Sequence, residues 1–195
     1  MTPPFRLDNK VAVITGAGSG IGQATALMFA NQGAQVCGVD LTLEHLSETV
    51  FEANSAGHTI HRYAGDVTKE KGIKDLFDKV KADRGRIDIL VNNAGVAHIG
   101  SVETTSEADF DRVFAVNVKG VFFCSKAAIP HMLAGGGGVI LNLASIASLI
   151  GLKDRFAYGM TKGAVLPMTY SMAVDYMEKN ISVNCVCPNR IHNPF

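Results

Sequence analysis

Apolar and polar positions follow two different patterns along this 195-residue chain. Short runs rich in Val and Ile, without alternating polar residues, are typical of strands buried on both faces of a parallel sheet. Longer stretches in which apolar residues recur every three or four positions are typical of helices. The short runs predict strands at Val11–Thr15, Gln35–Asp40, Thr59–Ala64, Ile87–Asn92, Val139–Leu143 and Ile181–Cys187. The longer stretches predict helices near Ile21–Gln32, Leu43–Ser55, Lys69–Arg84, Glu107–Leu133 and Tyr158–Lys179.

This alternation predicts an α/β fold in which helices cover both faces of a doubly wound, Rossmann-like parallel sheet of six strands. Crossovers of this length are right-handed almost without exception, which restricts the topology further. No linker or internal repeat interrupts the chain. We therefore expect residues 1–195 to form a single domain around one core.

The charge balance argues against two classes of partner. The chain has 18 basic and 18 acidic residues, so it carries no net charge when the histidines are neutral. Binding to nucleic acid or to an anionic membrane is therefore not expected. The first residues lack a basic segment followed by an apolar run, which argues against a secretory signal. The most apolar later stretch, Val139–Ile150, is too short to cross a bilayer, and we expect a soluble protein.

Cysteine and histidine usage favours the cytoplasm and argues against a metal site. The four cysteines lie among apolar neighbours without a Cys-x-x-Cys pair, as expected of buried, reduced thiols in a cytoplasmic protein. They are Cys37, Cys124, Cys185 and Cys187. The His58-x-x-His61 pair has no acid or thiolate partner at ligand spacing, so we expect no bound metal.

A glycine-rich segment joins the first predicted strand to the first predicted helix. It contains Gly16, Gly18, Gly20 and Gly22, with Ser19 and Ile21 between them. Such a junction offers backbone amides and a helix N-terminus to a phosphate without side chains in the way. Because a strand precedes it and a helix follows it, we expect it to bind a dinucleotide pyrophosphate. The alternative is a structural turn that binds nothing.

Asp40 ends the second predicted strand, about twenty residues beyond the glycines. A carboxylate at this position can accept hydrogen bonds from both hydroxyls of an adenosine ribose. A 2′-phosphate would meet its negative charge, and Ala17 and Leu41 offer no compensating cation. We therefore expect NAD in preference to NADP. The alternative is that Asp40 only caps the following helix.

The candidate catalytic residues follow the fourth helix. A phenol has a pKa near ~10, so Tyr158 needs a nearby cation to act as a base at neutral pH. Lys162 lies one helical turn later on the same face, where it can favour the phenolate and bind the nicotinamide ribose. Ser145, at the end of the fifth strand, can hold the substrate oxygen. The alternatives to a catalytic role are a Tyr/Lys pair exposed on the surface and a serine that only caps a helix.

Together these residues resemble the short-chain dehydrogenase/reductase family of the conventional type, from about residue 7 to the last residue. The resemblance is carried by Thr15-Gly16-x-x-x-Gly20-x-Gly22, Asp66-Val67, Asn92-Asn93-Ala94-Gly95, Asn117, Ser145 and Tyr158-x-x-x-Lys162. It implies an NAD-dependent oxidoreductase that interconverts a secondary alcohol and a ketone, with Tyr158 as general acid or base. Hydride transfer is then the chemistry of the cofactor.

The resemblance also implies roles for residues that spacing alone does not explain. In the family, residues matching Asp66 and Val67 hold the adenine, and those matching Asn93, Ala94 and Gly95 line the cofactor. The residue matching Asn117 kinks a helix and holds a water in a proton relay. Family members are dimers or tetramers that pair the helices predicted here at Glu107–Leu133 and Tyr158–Lys179, so a complete chain is expected to be a homo-oligomer.

The end of the chain departs from the family pattern. Where the family has Pro-Gly and a later Thr, this chain has Pro188-Asn189 and Asn193. Pro188 and Ile191 are still expected to contact the cofactor, through altered bonds. Family members continue beyond the position of Phe195 with a substrate lid, a helix and a seventh strand. A catalytically weak or inactive dinucleotide-binding fragment is therefore an alternative to an active enzyme.

The substrate is less determined than the reaction. Arg155 lies three residues before Tyr158, and its guanidinium can pair with a substrate carboxylate, although an exposed arginine is the alternative. A small polar hydroxy acid, a sugar or a sugar acid is the first expectation. Reduction of a 3-oxoacyl thioester on an acyl carrier protein is the competing one.

Overall fold

The computed structural model describes residues 5–189. Six strands within this range form one parallel sheet. The strand order is β3-β2-β1-β4-β5-β6, and every neighbouring pair is parallel. This order confirms the predicted doubly wound, Rossmann-like α/β fold. The strands are β1 (Val11–Thr15), β2 (Gln35–Asp40), β3 (Ile60–Ala64), β4 (Ile89–Asn92), β5 (Gly138–Leu143) and β6 (Ile181–Val186).

Within residues 5–189, six α-helices cover the sheet, at positions close to those that the periodicity predicts. The predicted helix at Leu43–Ser55 begins instead with a 3₁₀ turn at Glu44–Leu46, whose last residue is fully buried. The helices are α1 (Gly20–Asn31), α2 (Ser47–Ser55), α3 (Glu70–Arg84), α4 (Glu107–Phe114), α5 (Gly120–Ala134) and α6 (Phe156–Tyr176).

The stretch predicted as one helix at Glu107–Leu133 is divided by a π-helical turn at Ala115–Lys119. By length and composition, the whole run Glu107–Ala134 is apolar enough to cross a membrane, as the core helix of a folded protein often is. Half of its most apolar window is buried within the described structure, and α5 packs against α3 and β4. The apolar composition is therefore explained by packing against the sheet.

Both faces of the sheet are buried in separate apolar layers. Along β1, Val11 and Val13 point into the layer formed with α3, α5 and α6, whereas Ala12 and Ile14 point into the layer formed with α1 and α2. All four residues are fully buried. A strand covered on both faces has no polar side, which explains why β1 reads as a continuous apolar run.

The topology also fixes where a ligand can bind. The chain crosses from β1 outward to β3 and then returns to β4, so successive helices leave the neighbouring strands β1 and β4 in opposite directions. A crevice opens at such a switch point, beyond the carboxyl ends of the strands. The glycine segment follows β1 and Asn93 follows β4, so both are at this crevice.

Candidate functional site

One cleft of about 390 Å³ lies at the carboxyl ends of the strands and brings together most of the predicted site residues. Residues from the loops that follow all six strands line this cleft. Segments that are distant in the sequence therefore meet in it. The predicted residues that line it are Gly16, Ser19, Gly20, Ile21, Asp40, Asp66, Val67, Asn93, Ala94, Gly95, Ser145, Tyr158, Lys162 and Pro188.

Four predicted residues are not part of this cleft lining. Gly22 and Asn117 lie behind it, where they hold the loops that form its walls. Arg155 lines a second cavity beside the start of α6. Ile191 lies outside the described residues.

The glycine segment leaves the space beside the first helix free of side chains. Gly16 has a φ of +64°, and a Cβ there would approach Ala94 Cα to 2.9 Å. A Cβ on Gly22 would lie 2.0 Å from the Gly16 carbonyl oxygen, so only glycine lets α1 start this close to the loop. The first turn of α1 carries no acidic residue, and its exposed amides suit an anion. The segment therefore fits a dinucleotide pyrophosphate.

Thr15 ties the two strands of the switch point together, a role that the motif alone does not indicate. Its Oγ1 accepts hydrogen bonds from the backbone amides of Asn93 and Ala94, both at 3.1 Å. The Asn93 side chain in turn donates to the carbonyl oxygens of Thr15 and Gly16, both at 3.0 Å. These four bonds fix the post-β4 loop against the glycine segment.

Asp40 is held by donors of its own chain. Oδ2 accepts the Gly18 amide at 3.0 Å, and Oδ1 accepts the Leu41 amide at 2.8 Å. His45 Nδ1 lies 3.0 Å from the same Oδ1. The carboxylate therefore faces the cleft in a fixed orientation, and His45 is a neighbour that the sequence did not single out.

Asp66 and Val67 form the wall that follows β3. Asp66 Oδ1 accepts hydrogen bonds from the Thr68 amide at 2.9 Å and from its hydroxyl at 2.7 Å. Val67 packs on the start of α5, where a Cβ on Gly120 would approach Val67 Cγ2 to 2.9 Å. These contacts orient the wall without using the second oxygen of Asp66.

Asn117 lies within the π-helical turn between α4 and α5, and only 1% of it is exposed. Its Oδ1 accepts the Val96 amide at 2.8 Å, and its Nδ2 donates to the Val96 carbonyl at 2.9 Å and to Thr161 Oγ1 at 3.1 Å. π-turns are rare and frequent at functional sites. Here the turn aims an amide at both the post-β4 loop and α6.

Ser145 follows β5 by two residues and caps the 3₁₀ turn at Ile146–Ser148. Its Oγ accepts the Ala147 amide at 3.1 Å, and its own amide donates to Ser148 Oγ at 3.2 Å. The cap and the candidate catalytic role are compatible, because accepting one bond leaves the hydroxyl proton for a substrate oxygen.

Lys162 is 6% exposed, and its Nζ donates to the Leu143 carbonyl at 2.6 Å. Burial lowers the pKa of this ammonium to about 8. Tyr158 lies one turn earlier on α6 and lines the same cleft. An ammonium has three N–H groups, so two remain for a ligand hydroxyl. This arrangement can stabilise a phenolate and bind a ribose from one side of the cleft.

Arg155 precedes α6 and lines a second cavity of about 400 Å³. The backbone around it is fixed, because the Gly100 amide donates to the Asp154 carbonyl at 2.9 Å and the Phe156 amide donates to the Gly100 carbonyl at 3.1 Å. The cavity is lined mainly by apolar residues, of which Leu149, Ile150, Leu152 and Phe156 are exposed.

The cleft also contains residues that sequence reasoning missed. Several directly adjoin predicted ones, such as Leu41 beside Asp40 and Gly65 beside Asp66, so their position in the chain was a usable signal. The others reach the cleft only through the fold. The missed lining residues are Val39, Leu41, Gly65, Val96, Ala97, Val116, Leu143, Ala144 and Asn189.

Known proteins share this sequence pattern. A family model described as short chain dehydrogenase matches residues 10–194. The chain is 49% identical over 184 residues to an uncharacterized oxidoreductase of Thermotoga maritima, a match covering 94% of this chain and 72% of the relative. It is 42% identical to 2-(R)-hydroxypropyl-CoM dehydrogenase of Xanthobacter autotrophicus, covering 96% and 76%. It is 39% identical to 3-oxoacyl-(acyl-carrier-protein) reductase of T. maritima, covering 98% and 78%.

Solved structures share the fold. NAD⁺-bound xylitol dehydrogenase superposes with a TM-score of 0.90 at 37% identity, covering 93% of this chain and 70% of that one. A Beutenbergia cavernae protein solved with NADP at low occupancy superposes with a TM-score of 0.92 at 32% identity, covering 98% and 76%. A nicotinamide dinucleotide is thus common to these neighbours, in two forms. The chain belongs to the short-chain dehydrogenase family and is an oxidoreductase of that family.

Proposed function

We propose that this protein interconverts a secondary alcohol and a ketone with NAD(H), using Tyr158 as general acid or base. The observation that carries this proposal is the single cleft that joins the glycine segment to Ser145, Tyr158 and Lys162. A protein that only binds a dinucleotide has no need for this second group of residues.

The proposed roles follow from the position of each residue in the cleft. Gly16, Gly20 and Ile21 hold the pyrophosphate at the N-terminus of α1. Asp40 accepts the adenosine ribose hydroxyls, and Lys162 donates to the nicotinamide ribose. The bound dinucleotide supplies the hydride donor or acceptor.

At the other end of the cleft, Ser145 donates its hydroxyl proton to the substrate oxygen and fixes that oxygen near Tyr158. In the oxidation direction, the Tyr158 phenolate takes the alcohol proton, and the Lys162 ammonium stabilises the phenolate charge. In the reduction direction, Tyr158 gives its proton to the carbonyl oxygen. Asn117 positions Val96 and Thr161 around these groups.

We propose NAD as the preferred dinucleotide. The Asp40 carboxylate repels a 2′-phosphate, and no Lys or Arg occurs among residues 11–61. The structural neighbour xylitol dehydrogenase was solved with NAD⁺, which agrees with this proposal. The Beutenbergia cavernae neighbour was solved with NADP and so differs in its dinucleotide. Asp40→Ala should relax the preference against NADP, with Asp75→Ala on the exposed face of α3 as the control.

For the substrate, we propose a small hydroxy acid or another small hydroxylated molecule with one anionic group, paired with Arg155. Arg155 lies beside Tyr158 in sequence and lines the neighbouring cavity. A sugar or sugar acid is also consistent with the xylitol dehydrogenase neighbour. Sugars need several polar partners, however, and the polar side chains of this cavity lining are Ser148 and Arg155.

A second candidate is reduction of a 3-oxoacyl thioester. Two observations favour it: the exposed apolar residues Leu149, Ile150 and Leu152 at the second cavity, and the identity of 39% to the acyl-carrier-protein reductase. These side chains can contact an acyl chain, and Arg155 can contact a phosphorylated carrier group.

The test is turnover with NAD and a panel of hydroxy acids, polyols and hydroxyacyl thioesters, followed by the absorbance of the reduced cofactor. Tyr158→Phe should reduce turnover by at least about a hundredfold and leave NAD binding nearly unchanged, because only the proton carrier is removed. Tyr170→Phe, an exposed tyrosine of the same helix, is the matched control. NAD binding without turnover by the wild type would favour the inactive dinucleotide-binding alternative.

We also propose that the chain forms one domain and resides in the cytoplasm, and that the complete protein assembles as a homo-oligomer. Phe122 on α5 and Val174 on α6 are 47% and 71% exposed, on the two helices that pair in the family. Val174→Lys should lower the mass measured by light scattering. Phe51→Lys, at an equally exposed position on α2, should not.

A further inference from the structure

Thr161 lies on α6 between Tyr158 and Lys162 in the sequence, but on the buried side of the helix, and its exposed fraction is 0%. Its hydroxyl donates a hydrogen bond to the Tyr158 carbonyl at 2.9 Å, a bond to the preceding turn that threonines in helices can make. A hydroxyl has one proton, so the oxygen of Thr161 is left only as an acceptor. The group that donates to it is the side-chain amide of Asn117, whose Nδ2 lies 3.1 Å away.

This contact satisfies the donor side of the Asn117 amide. Nδ2 carries two N–H groups, and they donate to the Val96 carbonyl and to Thr161 Oγ1. Because Asn117 is 1% exposed, its second N–H group would lack a partner if the Thr161 hydroxyl were removed. Oδ1 accepts the Val96 amide at 2.8 Å and keeps one further lone pair. The hydroxyl therefore helps to determine which way the amide of Asn117 faces.

The oxygen of this amide lies on the side of Lys162. A Cβ on Gly95 would approach Asn117 Oδ1 to 3.3 Å and Lys162 Nζ to 3.4 Å, so both atoms border the same small space beside Gly95. An acceptor oxygen next to this space favours the ammonium form of Lys162, which the proposed Tyr158 phenolate needs. A flipped amide would place a donor there instead. The orientation of Asn117 therefore affects the charge on which the proposed reaction depends.

The same hydroxyl joins two elements of the fold. Asn117 belongs to the π-helical turn at Ala115–Lys119, whereas Tyr158 belongs to α6. Through Thr161, the Tyr158 backbone, the Asn117 amide and the post-β4 loop at Val96 form one series of hydrogen bonds. Loss of the hydroxyl would interrupt this series between the turn and the helix.

We propose that Thr161 is a positioning residue for the oxidoreductase reaction, and that it acts by holding the Asn117 amide oxygen toward Lys162. Its side chain is fully buried and does not line the cleft, so it acts through Asn117 and not on a ligand. The inference rests on the proposed function and adds a residue to it. The Tyr158-x-x-x-Lys162 spacing gives Thr161 no role, because only the fold brings the π-helical turn against α6.

The test measures kcat, the KM of the substrate and the dissociation constant of NAD in Thr161→Val and Thr161→Ser, with a substrate that the wild type turns over. Valine keeps the branched shape without the hydroxyl, so kcat should fall at least about tenfold while the other two constants change less than about threefold. Serine keeps the hydroxyl and should restore most of kcat. Thr25→Val on α1 is the matched control, because it loses a hydroxyl bond to the Ile21 carbonyl within its own helix, and its kcat should match the wild type.

A double-mutant cycle distinguishes positioning from a general structural effect. In the Asn117→Ala background, Thr161→Val should have little further effect on kcat, because the amide that it holds is gone. Single-turnover measurements at high enzyme concentration extend the cycle to slow variants. Urea denaturation shows whether each variant is folded, and Thr161→Ala, which loses the same hydroxyl, replaces Thr161→Val if the valine variant does not fold.

Two results would overturn the inference: equal kcat values in Thr161→Val and Thr161→Ser, or an equal loss of kcat from Thr161→Val with and without Asn117. A different result would refute the proposed function itself. If the wild type binds NAD but turns over no member of the substrate panel, there is no reaction for Thr161 to position, and both proposals fail together.

Discussion

The Lys162 ammonium is buried at the cleft, and at neutral pH this placement costs folding free energy. Burial lowers its pKa to about 8, against about 10.4 for an unfolded chain. Between these values the unfolded state binds more protons, so this group makes stability rise with pH. Below pH 8 the folded state must carry the buried charge. The catalytic proposal and the stability of the fold therefore place opposite demands on this residue.

Lys162→Met should stabilise the protein at pH 7 while it removes turnover. Removal of the buried charge should raise the free energy of unfolding by up to about 3 kcal/mol. Loss of the hydrogen bond to the Leu143 carbonyl should lower it by about 1 kcal/mol. We expect a net gain of about 2 kcal/mol in the free energy of unfolding at pH 7, measured by urea denaturation. The gain should shrink as the pH rises from about 8 to 10, because the folded wild type then no longer carries the buried charge.

Lys10→Met, at an exposed position, is the control for the removal of a positive charge. Its difference from the wild type should be small and nearly independent of pH. A Lys162→Met variant that is less stable than the wild type at pH 7 would contradict the assignment of a costly buried ammonium.

Thr15 gives a second prediction at a single residue. Thr15→Val keeps the shape of the side chain but removes the acceptor for the amides of Asn93 and Ala94, and the Ala94 amide then lacks this bond in a partly buried loop. We expect a loss of about 1–3 kcal/mol in stability and weaker NAD binding, because the post-β4 loop is no longer held to the glycine segment. Urea denaturation and an NAD titration check both. Thr15→Ser, which keeps the hydroxyl, should recover most of the loss.

At the level of elements, the sequence predicts most of the fold. All six strands and the main helical segments lie where the periodicity places them, because a buried parallel strand is apolar on both faces and each crossover helix keeps one apolar face. The differences are local. Periodicity reads Glu107–Leu133 as one helix, because the π-turn at Ala115–Lys119 adds a residue to one turn without breaking the helical backbone.

The link between β5 and α6 carries a prediction about these two elements. Asn142 Nδ2 donates to Thr169 Oγ1 at 2.9 Å, and both residues are buried. Asn142 precedes Leu143, whose carbonyl holds Lys162, and Thr169 lies two turns after Lys162 on the same helix. The bond therefore fixes the position of α6 along β5.

Thr169→Val should leave the Asn142 amide without this partner and cost about 1–3 kcal/mol in stability. Because α6 carries Tyr158 and Lys162, kcat should fall more than the affinity for NAD. Turnover assays at saturating NAD measure kcat, and urea denaturation measures the free energy of unfolding. Thr169→Ser keeps the hydroxyl and should restore kcat; equal kcat values in the Val and Ser variants would contradict the positioning role.

At the level of the whole molecule, the sequence predicts the site by its motifs and misses what only the fold assembles. Ser145 and Tyr158 were predicted from their residue type and spacing, and Asn93 from the family resemblance. Leu143 and His45 were not, because a backbone carbonyl has no sequence signature and the turn at Glu44–Leu46 depends on a buried anchor. Motifs therefore predict the groups that touch ligands, and packing determines the groups that hold them.

The cleft is formed by the loops after all six strands, so a bound dinucleotide should stabilise the whole molecule as one unit. Each tenfold rise in NAD above its dissociation constant should add about 1.4 kcal/mol to the free energy of unfolding. ADP-ribose should give most of this gain and nicotinamide mononucleotide little, because the glycine segment, Asp40 and Asp66 all lie on the proposed adenosine side. The chain has no Trp, so unfolding is followed by Tyr fluorescence and far-ultraviolet circular dichroism. Coincident transitions by both probes agree with a single domain, whereas two separate transitions, only one of them shifted by NAD, would contradict it.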